Sequence, residues 1–321
     1  LFDPRATGDL VAPERVRASY LARVPFANRY FRALAPFYPK AFESFDLSAY
    51  DTIISSTTAW AKGVIVPPGA VHVCYINTVS RFIFAYDEYV RTKLARPIVD
   101  RLIEWDKVAA QRPTRFVANS RNVADRIARY YGRDADVLHC PVDVDRFSIG
   151  TGAGDYYFIA SRLLPYKRID LAIAAAQLAG VKLFVAGTGP AYESLVRLSR
   201  GTTTTMLGYV GDARMNELLG AARAAILPGE EDFGLAPLEA AAAGRPTVAF
   251  RGGGACETVV EGETGIFFDD ATAESLASAL RTFDASRFDP VRLRAHAQRF
   301  APERFVAELR SIVERVRASA G

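Results

Sequence analysis

From Asp155 onward, short β-branched or aromatic runs alternate with helical patterns, and this alternation permits little other than a parallel sheet covered by helices. The candidate strands are Tyr157–Ala160, Val181–Ala186, Thr204–Leu207, Ala225–Leu227, Thr247–Phe250 and Gly265–Phe268. Helices are expected between them at Arg168–Ala179, Ala191–Ser199, Asp212–Ala222, Pro237–Ala243 and Ala271–Thr282. Asp212 suits an N-cap, Pro237 a first helical position and Gly244 a C-terminal cap. Two further helices, Pro290–Phe300 and Pro302–Ala318, close the chain.

The first half is less regular. Thr52–Ser55, Val71–Tyr75 and Arg115–Ala118 read as buried strands, and Arg121–Tyr131 as a helix. Cys140-Pro141-Val142-Asp143 and the glycine-rich Gly150–Gly154 then form a break, read as an interdomain linker. A chain of 321 residues suits two α/β domains. The expected division is an N-terminal domain over 1–145, a C-terminal domain over 146–302, and a last helix over 303–321 returning toward the first domain. Such a fold receives ligands at the carboxyl ends of its strands.

Composition excludes several classes. No apolar run approaches the ~18 residues that cross a bilayer. Leu1–Leu10 carries Asp3, Pro4, Arg5 and Asp9 where a signal peptide needs an apolar core. Cys74, Cys140 and Cys256 form neither a metal spacing nor a disulfide framework, so a reducing cytoplasm is the expected setting. The net charge of +4 does not point to nucleic acid. Its distribution is uneven, however: Arg15, Arg17, Arg23, Arg29, Arg32 and Lys40 face the single acid Glu14, with Tyr20, Phe26, Tyr30, Phe31, Phe37 and Tyr38 interleaved. This stretch reads either as a surface for an anionic membrane or polyanionic acceptor, or as a solvated helix whose aromatics pack on its own domain.

The sharpest chemical feature is Glu230-Glu231-Asp232-Phe233-Gly234-Leu235-Ala236-Pro237-Leu238-Glu239. A strand ends at Leu227, a polar loop follows and a helix starts near Ala236. The amides of Gly234, Leu235 and Ala236 then point out of a helix N-terminus, where a diphosphate is favoured. Glu231 is placed to accept hydrogen bonds from sugar hydroxyls. Glu239, expected inside the first turn, suits a ribose diol; the alternative is an acid complementing the helix dipole, worth ~0.3–1 kcal/mol. The second feature is Ser161-Arg162-Leu163-Leu164-Pro165-Tyr166-Lys167-Arg168, directly after a strand. Arg162 and Lys167 there would neutralise a leaving diphosphate as its charge grows. The alternative, two surface cations, is disfavoured at a helix start unless an anion answers them. His72 reads as a core residue, and neither His139 nor His296 has a partner at catalytic or metal spacing.

Together these residues resemble glycosyltransferase family 4, retaining enzymes of the GT-B fold with two Rossmann-like domains facing a cleft. The resemblance runs from about Phe42 to the C-terminus and is strongest from Tyr156 to Phe268. Glu231 and Glu239 match the family's E-x7-E acids, Arg162 and Lys167 its phosphate-binding pair, and Gly187 and Gly189 its glycine turn. Gly208-Tyr209-Val210-Gly211-Asp212 resembles the nucleobase loop, with Gly208 and Val210 in donor-binding positions, and Gly252-Gly253-Gly254 with Glu257 resembles the next cleft loop. Ser55-Ser56, Ala61-Lys62-Gly63, His72-Val73-Cys74-Tyr75 and Pro165-Tyr166-Lys167-Arg168 are similar to bacterial enzymes of surface-polysaccharide synthesis, many of them mannosyltransferases.

The resemblance implies a hexose donor such as GDP-mannose, a GDP- or UDP-linked substrate in any case, and a glycan or lipid-linked glycan acceptor. It implies a cytoplasmic enzyme, peripheral on the inner face of the plasma membrane, that needs no cofactor and no metal. Two departures stand out. The sequence starts at Leu1, so the first domain is expected to lack its opening strand and glycine-rich turn. Asn77 occupies the position of a family His, and an amide cannot carry a proton at neutral pH. A catalytically weak homologue that binds nucleotide sugar is therefore an alternative. An NAD-dependent oxidoreductase is disfavoured, because Tyr192 stands where the third glycine of the Gly187-Thr188-Gly189 turn belongs.

Overall fold

The computed structural model describes residues 11–31, 33–84, 96–150 and 154–320. The chain forms two compact units. The first comprises Leu1–Asn119, Val123–Val137 and Arg310–Gly321; the second comprises Ser120–Asn122 and Leu138–Leu309. The division thus falls earlier than the 145/146 boundary read from sequence. Cys140–Asp143 is not a free linker: Val142, Val144 and Phe147 are buried in the second unit's core, and the Val142 amide donates to the Phe300 carbonyl at 2.9 Å.

In the first unit, β1 (Thr52–Thr57), β2 (Val71–Ile76), β3 (Arg115–Ala118) and β4 (Ala135–Val137) form a parallel sheet in that order. The apolar character of β2, broken only by His72, fits its burial on both faces. α1 (Tyr38–Glu43), α2 (Arg81–Phe84), α3 (Arg96–Ala109) and α4 (Arg121–Tyr131) accompany it. The end of the last helix belongs to this unit, where Arg317 pairs with Asp51 at 3.1 Å and Arg315 approaches Asp136 at 3.8 Å. Residues 1–10 lie outside the described residues.

The basic aromatic stretch is not one solvated helix. It is a string of short 3-10 turns at Pro13–Arg15, Tyr20–Arg23 and Ala35–Phe37 leading into α1, anchored by buried Leu21 and Ala27. Tyr20, Phe26, Tyr30, Phe31 and Phe37 are exposed, while Tyr38 lies against Trp60 with ring centres 5.9 Å apart; Arg15, Arg17, Arg23, Arg29 and Lys40 are exposed. Arg32 lies outside the described residues.

His72 is a core residue, as its strand suggested. It is fully buried, with Nε2 2.8 Å from Ser55 Oγ. Burial depresses its pKa from 6.5 to about 4. The unfolded chain therefore binds more protons between those values, and stability falls as pH drops from 6.5 toward 4, by up to about 3 kcal/mol. Both tryptophans, Trp60 and Trp105, lie in this unit, so urea unfolding followed by their fluorescence reads it selectively. His72→Gln should flatten the pH dependence over that window. A dependence identical to wild type would contradict this assignment.

The second unit is a six-stranded parallel sheet in the order β10-β9-β8-β5-β6-β7. Its strands are β5 (Tyr156–Ala160), β6 (Lys182–Ala186), β7 (Thr204–Gly208), β8 (Ala224–Leu227), β9 (Thr247–Phe250) and β10 (Gly265–Phe268). The helices are α5 (Ile169–Ala179), α6 (Tyr192–Ser199), α7 (Asp212–Ala221), α8 (Leu235–Ala242), α9 (Ala255–Thr258), α10 (Ala273–Thr282), α11 (Pro290–Gln298) and the first part of α12 (Pro302–Ala320). Alanines make several of these helices thin enough to pack closely: Ala240, Ala241, Ala242 and Ala243 are all buried against the core. Two capping expectations need correction. Gly211 is the N-cap of α7 and Asp212 its first residue. α8 opens at Leu235, because Gly234 takes the left-handed conformation (φ 88°) that turns the chain into the helix, so Pro237 is its third residue.

Candidate functional site

The strand order of the second unit reverses between β5 and β8, whose neighbours lie on opposite sides. Loops leaving the carboxyl ends of two such strands diverge and leave a crevice, where ligands bind in open parallel sheets. The loop after β5 carries Arg162 and Lys167; the loop after β8 carries Glu231. The fold thus brings the two sequence motifs to one place.

Lys167 Nζ donates to Glu231 Oε1, and both side chains are largely buried, at 18% and 14% exposed. Lys167 also lies 5.2 Å from the centre of the Tyr166 ring. Arg168, next in the chain, holds a left-handed backbone (φ 54°) as it enters α5. For a residue with a side chain this costs of order 1–3 kcal/mol and concentrates at functional loops. Arg162 is exposed and, among the described residues, forms no ion pair.

Glycine contributions are mainly architectural. At Gly187 (φ 136°) a Cβ would meet the Ser161 carbonyl oxygen at 1.8 Å, and its amide is already donated to Gly208 at 2.7 Å. Gly187 and Gly208 therefore lace the loops after β5, β6 and β7 together, and Gly189 packs in the same way beside Leu163. In the nucleobase-like loop, Val210 packs on the core while Tyr209 is 81% exposed. Gly229 was not singled out from sequence, yet a Cβ there would stand 2.6 Å from the Tyr166 carbonyl. The Pro228-Gly229 break before the acidic loop was the available signal.

α8 presents the amides of Leu235 and Ala236, which have no partner within the helix. Glu239 is its fifth residue, past the first turn rather than in it, so dipole complementation does not explain it. Its carboxyl is half-buried and, among the described residues, has no hydrogen-bond partner. Burial raises its pKa, against the opposing pull of Arg146. Arg146 sits between the two stretches read as linker and pairs with Asp212 at 2.5 Å; sequence spacing alone gave no sign of it. Glu231 bridges to Gly253, and its carbonyl accepts from the Gly254 amide at 2.9 Å. Glu257 accepts from His139 at 3.0 Å and from the amides of Arg121 and Asn122. Burial pushes its pKa up, but these donors hold it below its ordinary value.

In the first unit, Asn77 follows the carboxyl end of β2. Its amide donates to the Thr57 carbonyl at 2.9 Å, and its own carbonyl accepts from Asn119 Nδ2 at 2.9 Å.

Comparison with known proteins resolves the family. The model for "Glycosyltransferase Family 4" matches residues 2–146, and that for "Glycosyl transferases group 1" matches 142–301. The chain belongs to glycosyltransferase family 4. It is 30% identical over 185 residues to a glycogen synthase of Mycobacterium tuberculosis, covering 52% of this chain and 44% of that protein. It is 31% identical over 193 residues to a GDP-mannose-dependent alpha-(1-6)-phosphatidylinositol monomannoside mannosyltransferase of Mycolicibacterium smegmatis, covering 50% of each. These matches span about half the length of the relatives. The sucrose-phosphate synthase of Thermosynechococcus elongatus superposes with a TM-score of 0.72 at 19% identity, covering 95% of this chain and 83% of that one. The family 4 chain thus has two Rossmann-like parallel-sheet units of the GT-B class.

Proposed function

We propose that this family 4 chain transfers a hexose from a nucleotide sugar to a glycan or lipid-linked glycan acceptor, with retention and without a metal. The observation that carries this reading is the largely buried Lys167–Glu231 pair at the strand-order reversal, next to the start of α8. A cation and an acid held together there suit the two ends of one substrate, a diphosphate and a hydroxylated sugar. On binding, Lys167 and Arg162 turn to the diphosphate, the amides of Leu235 and Ala236 add their dipoles, Glu231 takes sugar hydroxyls and Glu239 the ribose diol. The anomeric carbon–oxygen bond breaks toward the diphosphate. The acceptor hydroxyl attacks from the same face, and its proton passes to the leaving phosphate oxygen. This route asks Asn77 only for a hydrogen bond, which an amide can supply.

Mannose from GDP-mannose, in bacterial surface-polysaccharide synthesis, is the specific donor proposed, supported by similarity to the mycobacterial mannosyltransferase. Release of nucleoside diphosphate from a panel of GDP- and UDP-sugars tests the reading; release from none of them would overturn it. The Asn77 substitution favours a second reading, a nucleotide-sugar-binding module, which predicts stabilisation by a donor without turnover.

The basic aromatic stretch supports peripheral binding to an anionic membrane. Its exposed cations and rings flank a cavity of 330 Å³ lined by Asn28, Phe31, Tyr38, Phe42 and Trp60. Among the described residues no helix is long and apolar enough to cross a membrane. At ~1 kcal/mol per engaged cation, three of them give measurable, salt-sensitive binding. Co-sedimentation should occur with anionic vesicles, weaken at high salt, and fail with Arg15, Arg23 and Arg29 changed to Glu. Equal binding to neutral vesicles would contradict it.

A further inference from the structure

Within the first unit, Lys62 and Asp106 form an ion pair at 2.5 Å with 1% and 0% of their side chains exposed. Asp106 also accepts from Ser80 Oγ at 2.9 Å and Tyr131 Oη at 2.7 Å. Burial pushes the Lys62 pKa down, against the pull of Asp106, and pushes the Tyr131 hydroxyl up. A buried ion pair is weak evidence for stability, since apolar residues of similar volume often serve as well. Its partners suggest another purpose. Ser80 ends the segment that begins with Asn77. Lys62 follows β1 and donates to the Ala59 carbonyl. The amides of Ala59 and Ala61 donate to Thr57 Oγ1 at 2.9 and 3.2 Å, and the Thr57 carbonyl takes the Asn77 amide. Asp106 thus reaches the backbone of Asn77 in two ways, along the chain from Ser80 and by hydrogen bonds through Lys62, Ala59 and Thr57.

We infer that Asp106 is a positioning residue for transfer, fixing the loops after β1 and β2 and with them the backbone of Asn77. The inference rests on the proposed transferase reading. Misplacing a group by about 1 Å can cost of order a hundredfold in rate, so loosening one of two routes should lower kcat by roughly tenfold. Ser80→Ala is the informative variant, because it cuts the route to the loop and leaves the Lys62–Asp106 pair intact. Its kcat should fall about tenfold while calorimetry gives an unchanged affinity for nucleoside diphosphate. Hydrogen exchange in the segment 77–80 should rise. Ile127→Val, a buried core change on α4, should lower stability and leave kcat within about twofold. Because Ser80 acts through Asn77, the double variant Asn77→Ala with Ser80→Ala should be no slower than Asn77→Ala alone. Wild-type transfer with full activity in Ser80→Ala, or losses that multiply in the double variant, would overturn the inference alone. No transfer by the wild-type protein with any donor would overturn the functional reading on which it rests.

Discussion

Lys167→Ala should lose at least tenfold in kcat/KM for the nucleotide sugar, and Arg162→Ala a comparable factor. A hydrogen bond to a charged group contributes about 1.5–3 kcal/mol, or roughly ten- to a hundredfold per contact. The two differ in their surroundings. Arg162 is exposed and makes no ion pair among the described residues, so its loss should leave the resting protein unchanged. Lys167 is already paired with Glu231. Its removal leaves a largely buried carboxylate without that partner, so Lys167→Ala should also lose modest thermal stability. Lys167→Ala with Glu231→Gln should recover that stability but not the rate. Kinetics of both single variants at wild-type level would remove Arg162 and Lys167 from the site.

The second large effect separates sugar from nucleotide. Glu239→Gln should weaken binding of the free nucleoside diphosphate by roughly tenfold or more, because a carboxylate–diol hydrogen bond is lost. Glu231→Gln should impair transfer and leave that affinity nearly intact. Glu239→Gln should also raise stability at neutral pH. Its folded pKa lies above the unfolded value, so the folded protein binds the proton more tightly and stability falls as pH rises through the folded pKa. An amide removes that cost, and a rise of roughly 1–3 °C in Tm is expected. A residue that weakens the fold yet grips the ligand is the usual mark of a binding role. Equal weakening of free nucleotide by both substitutions would show that the roles are not divided in this way.

Much of the second unit was legible because its central strands, β5, β8 and β9, are largely buried and its strands are bounded by polar loops. Thr247–Phe250 and Gly265–Phe268 match the structure residue for residue, and the other strands differ by a residue or so at an end. The caps were less legible. Gly234 turns the chain by its left-handed backbone and Gly211 is an N-cap with no side chain, and a search for side-chain caps registers neither. β4 was missed because Ala135-Asp136-Val137 is short and carries a charge. That charge is what aligns it, since Asp136 takes two hydrogen bonds from Arg115 on β3.

The loops carrying Arg162, Lys167 and Glu231 stood out in the sequence because they set charges beside glycine and proline directly after strands. Arg146 and Gly229 did not, as each matters only through a neighbour distant in sequence. The Lys62–Asp106 pair was equally hidden: nothing local marks a lysine that finds its carboxylate on a helix forty-four positions away.

The central claim is that the strand-order reversal of the second unit holds a nucleoside diphosphate. Isothermal titration of the protein with GDP and UDP tests it most directly. At least one should bind with a 1:1 stoichiometry, and Lys167→Ala and Glu239→Gln should each weaken that binding. No heat of binding from either nucleotide, or affinity unchanged by both substitutions, would contradict the account.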